Sequence, residues 1–254
     1  MSTEITVKQA GTGALAVNQG LSAGLVVAGD DRTAAEMLPR ATIYQGTAQE
    51  QTKYGEGKFK RGDLIHVSEA RKLASNVFVP VAGAISYVNW PKGARVPQYV
   101  LHDPSKVPAQ DLKWGPNGEK PIAAKTVTLV VLFQGESTPF ILSFKKTGLR
   151  AYDALKAFEA NRQIGGKQVG AYRLEAVEDK DDGGNPFKRW TVVPHGEVPA
   201  DMAELAAAFR SAATIHTLTT RARQAVDEEV KEAARPVTNT AAPQTAAPAD
   251  EIPF

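Results

Sequence analysis

Residues 125–133, Lys-Thr-Val-Thr-Leu-Val-Val-Leu-Phe, constrain the fold more than any other stretch. After Lys125 every residue is apolar or β-branched, a pattern that suits a pleated surface and places this strand centrally in a sheet. Gly135-Glu136-Ser137 is a tight connection into a second strand at 139–144. Upstream, residues 76–90 are rich in β-branched and aromatic types, with Pro80 and Gly83 where a bulge or bend tolerates them. Shorter strands are predicted at 40–46, 63–67 and 97–101, and residues 103–121 read as a long loop carrying Trp114.

Beyond residue 146 the period changes. Leu149, Tyr152, Leu155 and Phe158 recur at helical spacing behind Thr147, a candidate cap, and Gly165-Gly166 marks the far limit. Residues 170–177 and 187–193 flank the turn signal at 179–185 and read as a hairpin. Pro199-Ala200-Asp201 opens one long Ala-rich helix with Met202, Leu205, Phe209, Ile215, Leu218 and Val226 on its apolar face. Several strands, one helix inserted once the sheet has begun to close, and a final hairpin predict a mainly β fold with added helices. The expected form is an OB-like Greek-key barrel with an inserted helix, a long C-terminal helix and a disordered tail. The boundaries are an N-terminal arm (1–36), the barrel domain (37–198), the helix (199–234) and the tail (235–254). The arm is read as mobile or as packing on a neighbouring subunit, which would make a homo-oligomer. Its Gly11-Thr12-Gly13-Ala14-Leu15-Ala16 has the GxGxxA form, but Asn18-Gln19-Gly20 interrupts the helix that a dinucleotide turn needs.

The net charge of +2 hides an uneven distribution. Between Glu36 and Glu175 there are 20 basic and 12 acidic residues, whereas from residue 201 onward there are 5 basic and 8 acidic. A basic body with an acidic end fits a polyanion binder whose tail works separately. Unpaired bases stack on aromatic rings and phosphates meet Lys and Arg, so sequence-independent binding needs the two residue types interleaved. Three places offer this: Lys53-Tyr54 with Lys58-Phe59-Lys60-Arg61; Tyr87 and Trp90 with Lys92, Arg95 and Lys113-Trp114; and Phe187 with Lys188-Arg189-Trp190. Phe78, Phe133, Phe140, Phe144 and Phe158 read as core instead.

Catalytic chemistry is poorly represented. His66, His102, His195 and His216 are scattered, with no HExxH pair and no GxSxG elbow. Gly165-Gly166-Lys167-Gln168 lacks the Ser or Thr of a phosphate loop, and Asp179, Asp181 and Asp182 lack calcium-loop spacing. There is no Cys, which excludes disulfides and thiolate metal sites. The expectation is a non-enzyme without cofactor or metal. No apolar run approaches the roughly 20 residues that span a bilayer. Met1-Ser2-Thr3-Glu4 carries no basic, then apolar, export pattern, so a cytoplasmic location is expected.

The chain ends Asp250-Glu251-Ile252-Pro253-Phe254, after a segment of Ala, Pro, Thr, Gln and Asn with little to bury. Apolar side chains at a free end, beside carboxylates, suit capture in a partner's groove. This end resembles the C-terminal tip of bacterial and phage single-stranded DNA-binding proteins, in which an acidic run followed by Ile-Pro-Phe docks other proteins. It differs in having two acidic residues only. The layout of the body resembles the longer binding proteins of tailed bacteriophages. The resemblance implies protection of single-stranded DNA in phage replication, recombination and repair, with Asp250 to Phe254 recruiting the proteins of those processes. The alternative class is an adaptor or decoy that binds no DNA and competes for host proteins through the same tip.

Overall fold

The chain folds around β6 (Ala123–Phe133), in which every side chain from Thr126 to Phe133 is buried. The computed structural model describes residues 38–91, 94, 96–116, 119–161, 163–164, 167–180 and 183–234. The expected arm and tail, the docking tip at 250–254, and Lys92, Arg95, Asp181 and Asp182 therefore lie outside the described residues.

On one side of β6 lies β4 (Val77–Asn89) and on the other β7 (Phe140–Lys145), both antiparallel to it. The hairpin β10 (Ala171–Lys180) and β11 (Pro186–Gly196) returns to the other edge of β4, with Tyr172 opposite Phe78. Beyond β7 the sheet continues with β1 (Arg40–Ile43), parallel to β7, then β2 (Leu64–His66) and β3 (Arg71–Lys72). The order is β11-β10-β4-β6-β7-β1-β2-β3, and β5 (Tyr99–Leu101) pairs with the end of β4. β8 (Gln163–Ile164) and β9 (Lys167–Gln168) form a separate ladder.

The main sheet is open but strongly curled. Its inner core joins Ala41 and Ile43 of β1 to Trp190 and Val192 of β11, although these strands are far apart in the order. Phe78, Phe133, Phe140 and Tyr172 are wholly buried there in edge and tilted ring contacts. The sequence predicts an OB-like Greek-key barrel; the curl stops at a half-barrel, and among the described residues no ladder joins β1 to β11. β1 leaves the sheet at Tyr44, turns at Gly46 (φ 71°), and enters a short helix, α1 (Ala48–Tyr54). A second helix, α2 (Leu149–Ala160), packs between β7 and β11 at this gap. Leu155 is buried on its expected face, but Thr147 lies in a 3₁₀ turn and its side chain caps nothing.

The outer face of the sheet is apolar too. Val77, Val79, Val130, Leu132 and Ile141 pack under Met202, Ala206, Phe209, Leu218, Ala222 and Ala225. The expected single C-terminal helix is two, α3 (Ala200–Phe209) and α4 (Ala212–Ala234). The break falls at Arg210-Ser211, where the Ser211 hydroxyl accepts from the Thr214 amide at 3.3 Å. Both helices lie against their own sheet. Pro80 sits at a bulge, opposite Val131, while Ala82 is opposite Val130 and Val81 is skipped.

Candidate functional site

An open groove of about 900 Å³ runs along the gap between β1/β7 and β11. The gap's floor is the inner core, and its rim comes from five elements, most of them distant in sequence. β1 and β7 contribute Arg40 and Lys145, α1 contributes Lys53 and Tyr54, β11 contributes Phe187 to Trp190, and α4 contributes Glu228, Glu229 and Glu232. Two of the three predicted patches therefore meet at one site.

Local chemistry explains how α1 arrives there. Thr47 and Glu50 form a reciprocal capping box, and Gly55 (φ 97°) ends the helix in a conformation that side chains resist. The following loop packs Phe59 against Tyr54 (6.1 Å) and the buried Tyr44 (5.5 Å). Tyr54 and Phe59 are thus half-buried, with Lys53 and Lys58 ammonium groups 5.4 and 5.6 Å from the respective ring centres. Lys60 is exposed, and the exposed Arg61 donates to the Pro186 carbonyl, tying the loop to the start of β11.

A second tie closes the gap without a ladder. The Gln45 side-chain amide donates to the Lys188 carbonyl at 2.7 Å, and its oxygen accepts from the Lys188 amide at 2.8 Å. One side chain thereby substitutes for a strand partner. On β11, the Lys188 ammonium holds Glu178 (3.0 Å) and the Arg189 guanidinium holds Asp179 (2.7 Å). The Lys188 hydrogen bond lowers the Glu178 carboxyl below its ordinary value. Asp179 is also lowered, by the Lys180 amide first and by Arg189.

Trp190 corrects an expectation. It was expected to stack on bases, but only 9% of it is exposed and it belongs to the inner core. It lines the groove as part of the floor. The patch of Tyr87, Trp90, Lys92, Arg95, Lys113 and Trp114 stays separate, and none of its described members lines the groove. Tyr87 and Trp90 are half-buried at the far end of β4, where the Trp90 indole donates to the Ala94 carbonyl at 2.8 Å. Lys113 and Trp114 sit in the loop before β6, with Trp114 64% exposed.

Arg40 and Lys145 escaped the sequence reading. They meet only because β1 lies parallel to β7, with Arg40 opposite Ile141, a pairing that no local signal announces. Both face the Glu229 carboxylate: Arg40 at 3.8 Å, and Lys145 in direct contact. Arg40 also donates to the Ala225 carbonyl of α4. Nearby, His102 joins the Ser86 hydroxyl (2.8 Å) to Asp227 of α4 (3.2 Å). Ser86 is wholly buried, so this Ser-His-Asp grouping fits a tie between helix and sheet rather than an accessible nucleophile.

Among the described residues no group of three or more His, Asp or Glu side chains could hold a metal ion. Among them, too, no helix is long and apolar enough to cross a membrane. Comparison with curated proteins and with solved structures finds no match. Residues 28–219, well over half the chain and spanning the sheet, the groove strands and the start of α4, match the model of the Pam3 phage gp34-like protein family, and the chain belongs to that family of phage proteins.

Proposed function

We propose that the chain binds single-stranded DNA without regard to sequence, in phage replication, recombination or repair. One observation carries this reading: the groove gathers Arg40, Lys53, Lys145, Lys188 and Arg189 around Tyr54 and Phe187, cations interleaved with rings. Phosphates would meet the cations and bases the rings, while Trp114 offers a second, outlying stacking surface. The topology supports an OB-like reading as well. A three-stranded meander, a helix, and a hairpin returning to the first strand is the Greek-key order of that fold, with the groove at its incomplete closure. The tip from Asp250 to Phe254 would recruit partner proteins to the coated strand.

A titration of the full chain with fluorescent oligothymidylate at two salt concentrations tests the reading. Tight, salt-sensitive binding is expected. Lys53→Ala should flatten the slope of log K against log salt by about 0.7, the share of one phosphate contact on a single strand. Tyr54→Ala should lose about 1–3 kcal/mol of stacking. Absence of binding even at low salt, by the chain and by a variant with the groove's carboxylates neutralised, would sink the DNA reading and leave the adaptor or decoy. One feature favours that second reading: Arg40, Lys145, Lys188 and Arg189 all have carboxylate partners already.

A further inference from the structure

We propose that the acidic C-terminal end of α4 is a built-in competitor for the groove, which a nucleic-acid strand must displace from Arg40 and Lys145. The inference rests on the reading of the groove as a single-strand site and names its regulation.

α4 has two differently built halves. Up to Val226 it is anchored by burial: Leu218, Ala222 and Ala225 pack against the sheet, and Val226 is buried too. Directly after that anchor come Asp227, Glu228 and Glu229, followed one turn later by Glu232, and three of these four line the groove. Glu229 bridges Arg40 and Lys145, one from each of the two parallel strands on that side of the groove. A carboxylate held between a guanidinium and an ammonium occupies the place a phosphate oxygen would take. Glu229 and both cations remain partly exposed, at 29–38% of their side-chain surface. Such pairs are individually weak and are screened by salt. They suit exchange: a phosphate can replace Glu229 without unpacking the apolar half of the helix.

The device lowers affinity and also weakens salt dependence, because each carboxylate displaced by a phosphate takes up cations that offset part of the strand's counterion release. Both effects can be measured. The variant E228Q/E229Q/E232Q keeps the size and helix compatibility of the side chains while removing their charge. A control variant, E197Q/D201N/E204Q, removes the same formal charge from exposed positions outside the groove lining. Each full-length chain is titrated with fluorescent oligothymidylate over a salt series, with circular dichroism to verify helix content. E229Q alone serves if the triple variant loses helix.

The groove variant should bind about tenfold more tightly at low salt. Its slope of log K against log salt should steepen by about 1.4, two freed cations at about 0.7 each. The control should stay within about twofold of wild type, as expected for exposed, salt-screened charges outside the groove lining. Binding by the groove variant where wild type shows none also supports the device. Equal binding by wild type and groove variant, an equal gain in the control, or weaker binding by the groove variant overturns it while leaving the groove as a DNA site. Failure of all three chains to bind removes the groove reading and the device together.

Discussion

Replacing Gln45 asks whether one side chain holds the curled sheet together. Its amide makes two hydrogen bonds to the Lys188 backbone, at 2.7 and 2.8 Å, across a gap that no strand ladder closes among the described residues. Gln45→Met keeps the length and removes both bonds. A net contribution of about 0.5–1.5 kcal/mol per bond puts the loss at roughly 1–3 kcal/mol. Gln45→Glu is the sharper probe. It can still accept from the Lys188 amide, but it sets a second oxygen against the Lys188 carbonyl, so it should lose at least one bond and add a repulsion. Urea unfolding reads the total: with a slope of about 2–3 kcal/mol/M, the Met variant's midpoint should fall by roughly 0.3–1.5 M. Hydrogen exchange locates the effect, because the Lys188 amide should lose protection while amides of β6 keep theirs. An unchanged Lys188 exchange rate in Gln45→Met, or a Glu variant as stable as wild type, would refute the idea that this amide stands in for a strand.

Three other perturbations follow from the same coordinates. A Cβ at Gly83 would lie 2.8 Å from Leu129 Cδ2 and 3.3 Å from the Thr128 carbonyl. Gly83→Ala should therefore destabilise by roughly 1–2 kcal/mol in urea, overpacking outweighing the entropy gained at a strand glycine, and an equally stable variant would contradict this. Burial pushes the His66 imidazole below its ordinary value of 6.5, and Arg71 adds to the shift against the opposing pull of Glu69. The folded state therefore binds its proton less readily than the unfolded one, so His66 contributes stability above pH 6.5 that is lost as pH falls through the lowered value. His66→Gln should flatten the fall of the urea midpoint as pH drops below 6.5, and an unaltered slope there would exclude the assignment. Arg71 holds Glu136 through two 2.7 Å bonds, with the carboxylate only 10% exposed. Discounted for the partial exposure of Arg71, removal by Arg71→Met should cost about 1–2 kcal/mol, and Glu136→Gln in the same chain should recover part of it. No recovery in that double variant would show that the ion pair is not the source.

The sequence was most legible where one local rule decides the structure. The hairpin around residues 179–185, the bulge at Pro80, the turn at Gly135 and the central strand all follow from turn chemistry, β-branching or the missing proline amide. A signal for α1 was also present, since Thr47-Ala48-Gln49-Glu50 is a capping-box pattern, but the run behind it carries no buried side chain and hence no apolar period. The break between α3 and α4 was masked for a related reason, because Ala-rich segments keep a helical pattern straight through Arg210-Ser211. Trp190 was misplaced because alternation separates two faces of a strand without saying which one looks inward. The groove itself was only half legible. Lys53-Tyr54 and Lys188-Arg189 stand out as local clusters, whereas Arg40, Gln45, Lys145 and Glu229 acquire meaning through pairings across the whole chain.

The position of the groove follows from how β6 is buried. Its inner side chains Val127, Leu129, Val131 and Phe133 belong to the inner core, and Val130 and Leu132 belong to the outer cluster beneath α3 and α4. A sheet covered on both faces has no open face to give a ligand. What remains is the place where the curl stops short of closure. There the edge of β11 away from β10 has no strand partner among the described residues, and a few side chains must satisfy it. Gln45 and Arg61 satisfy it at Lys188 and Pro186. Cations from β1 and β7 come to the same place because those strands form the opposite bank. The C-terminal helix that seals the outer face also ends there, and its last turns are acidic. One architectural choice, covering the outer face with α4, thus both moves the candidate site to the gap and delivers the carboxylates that occupy it.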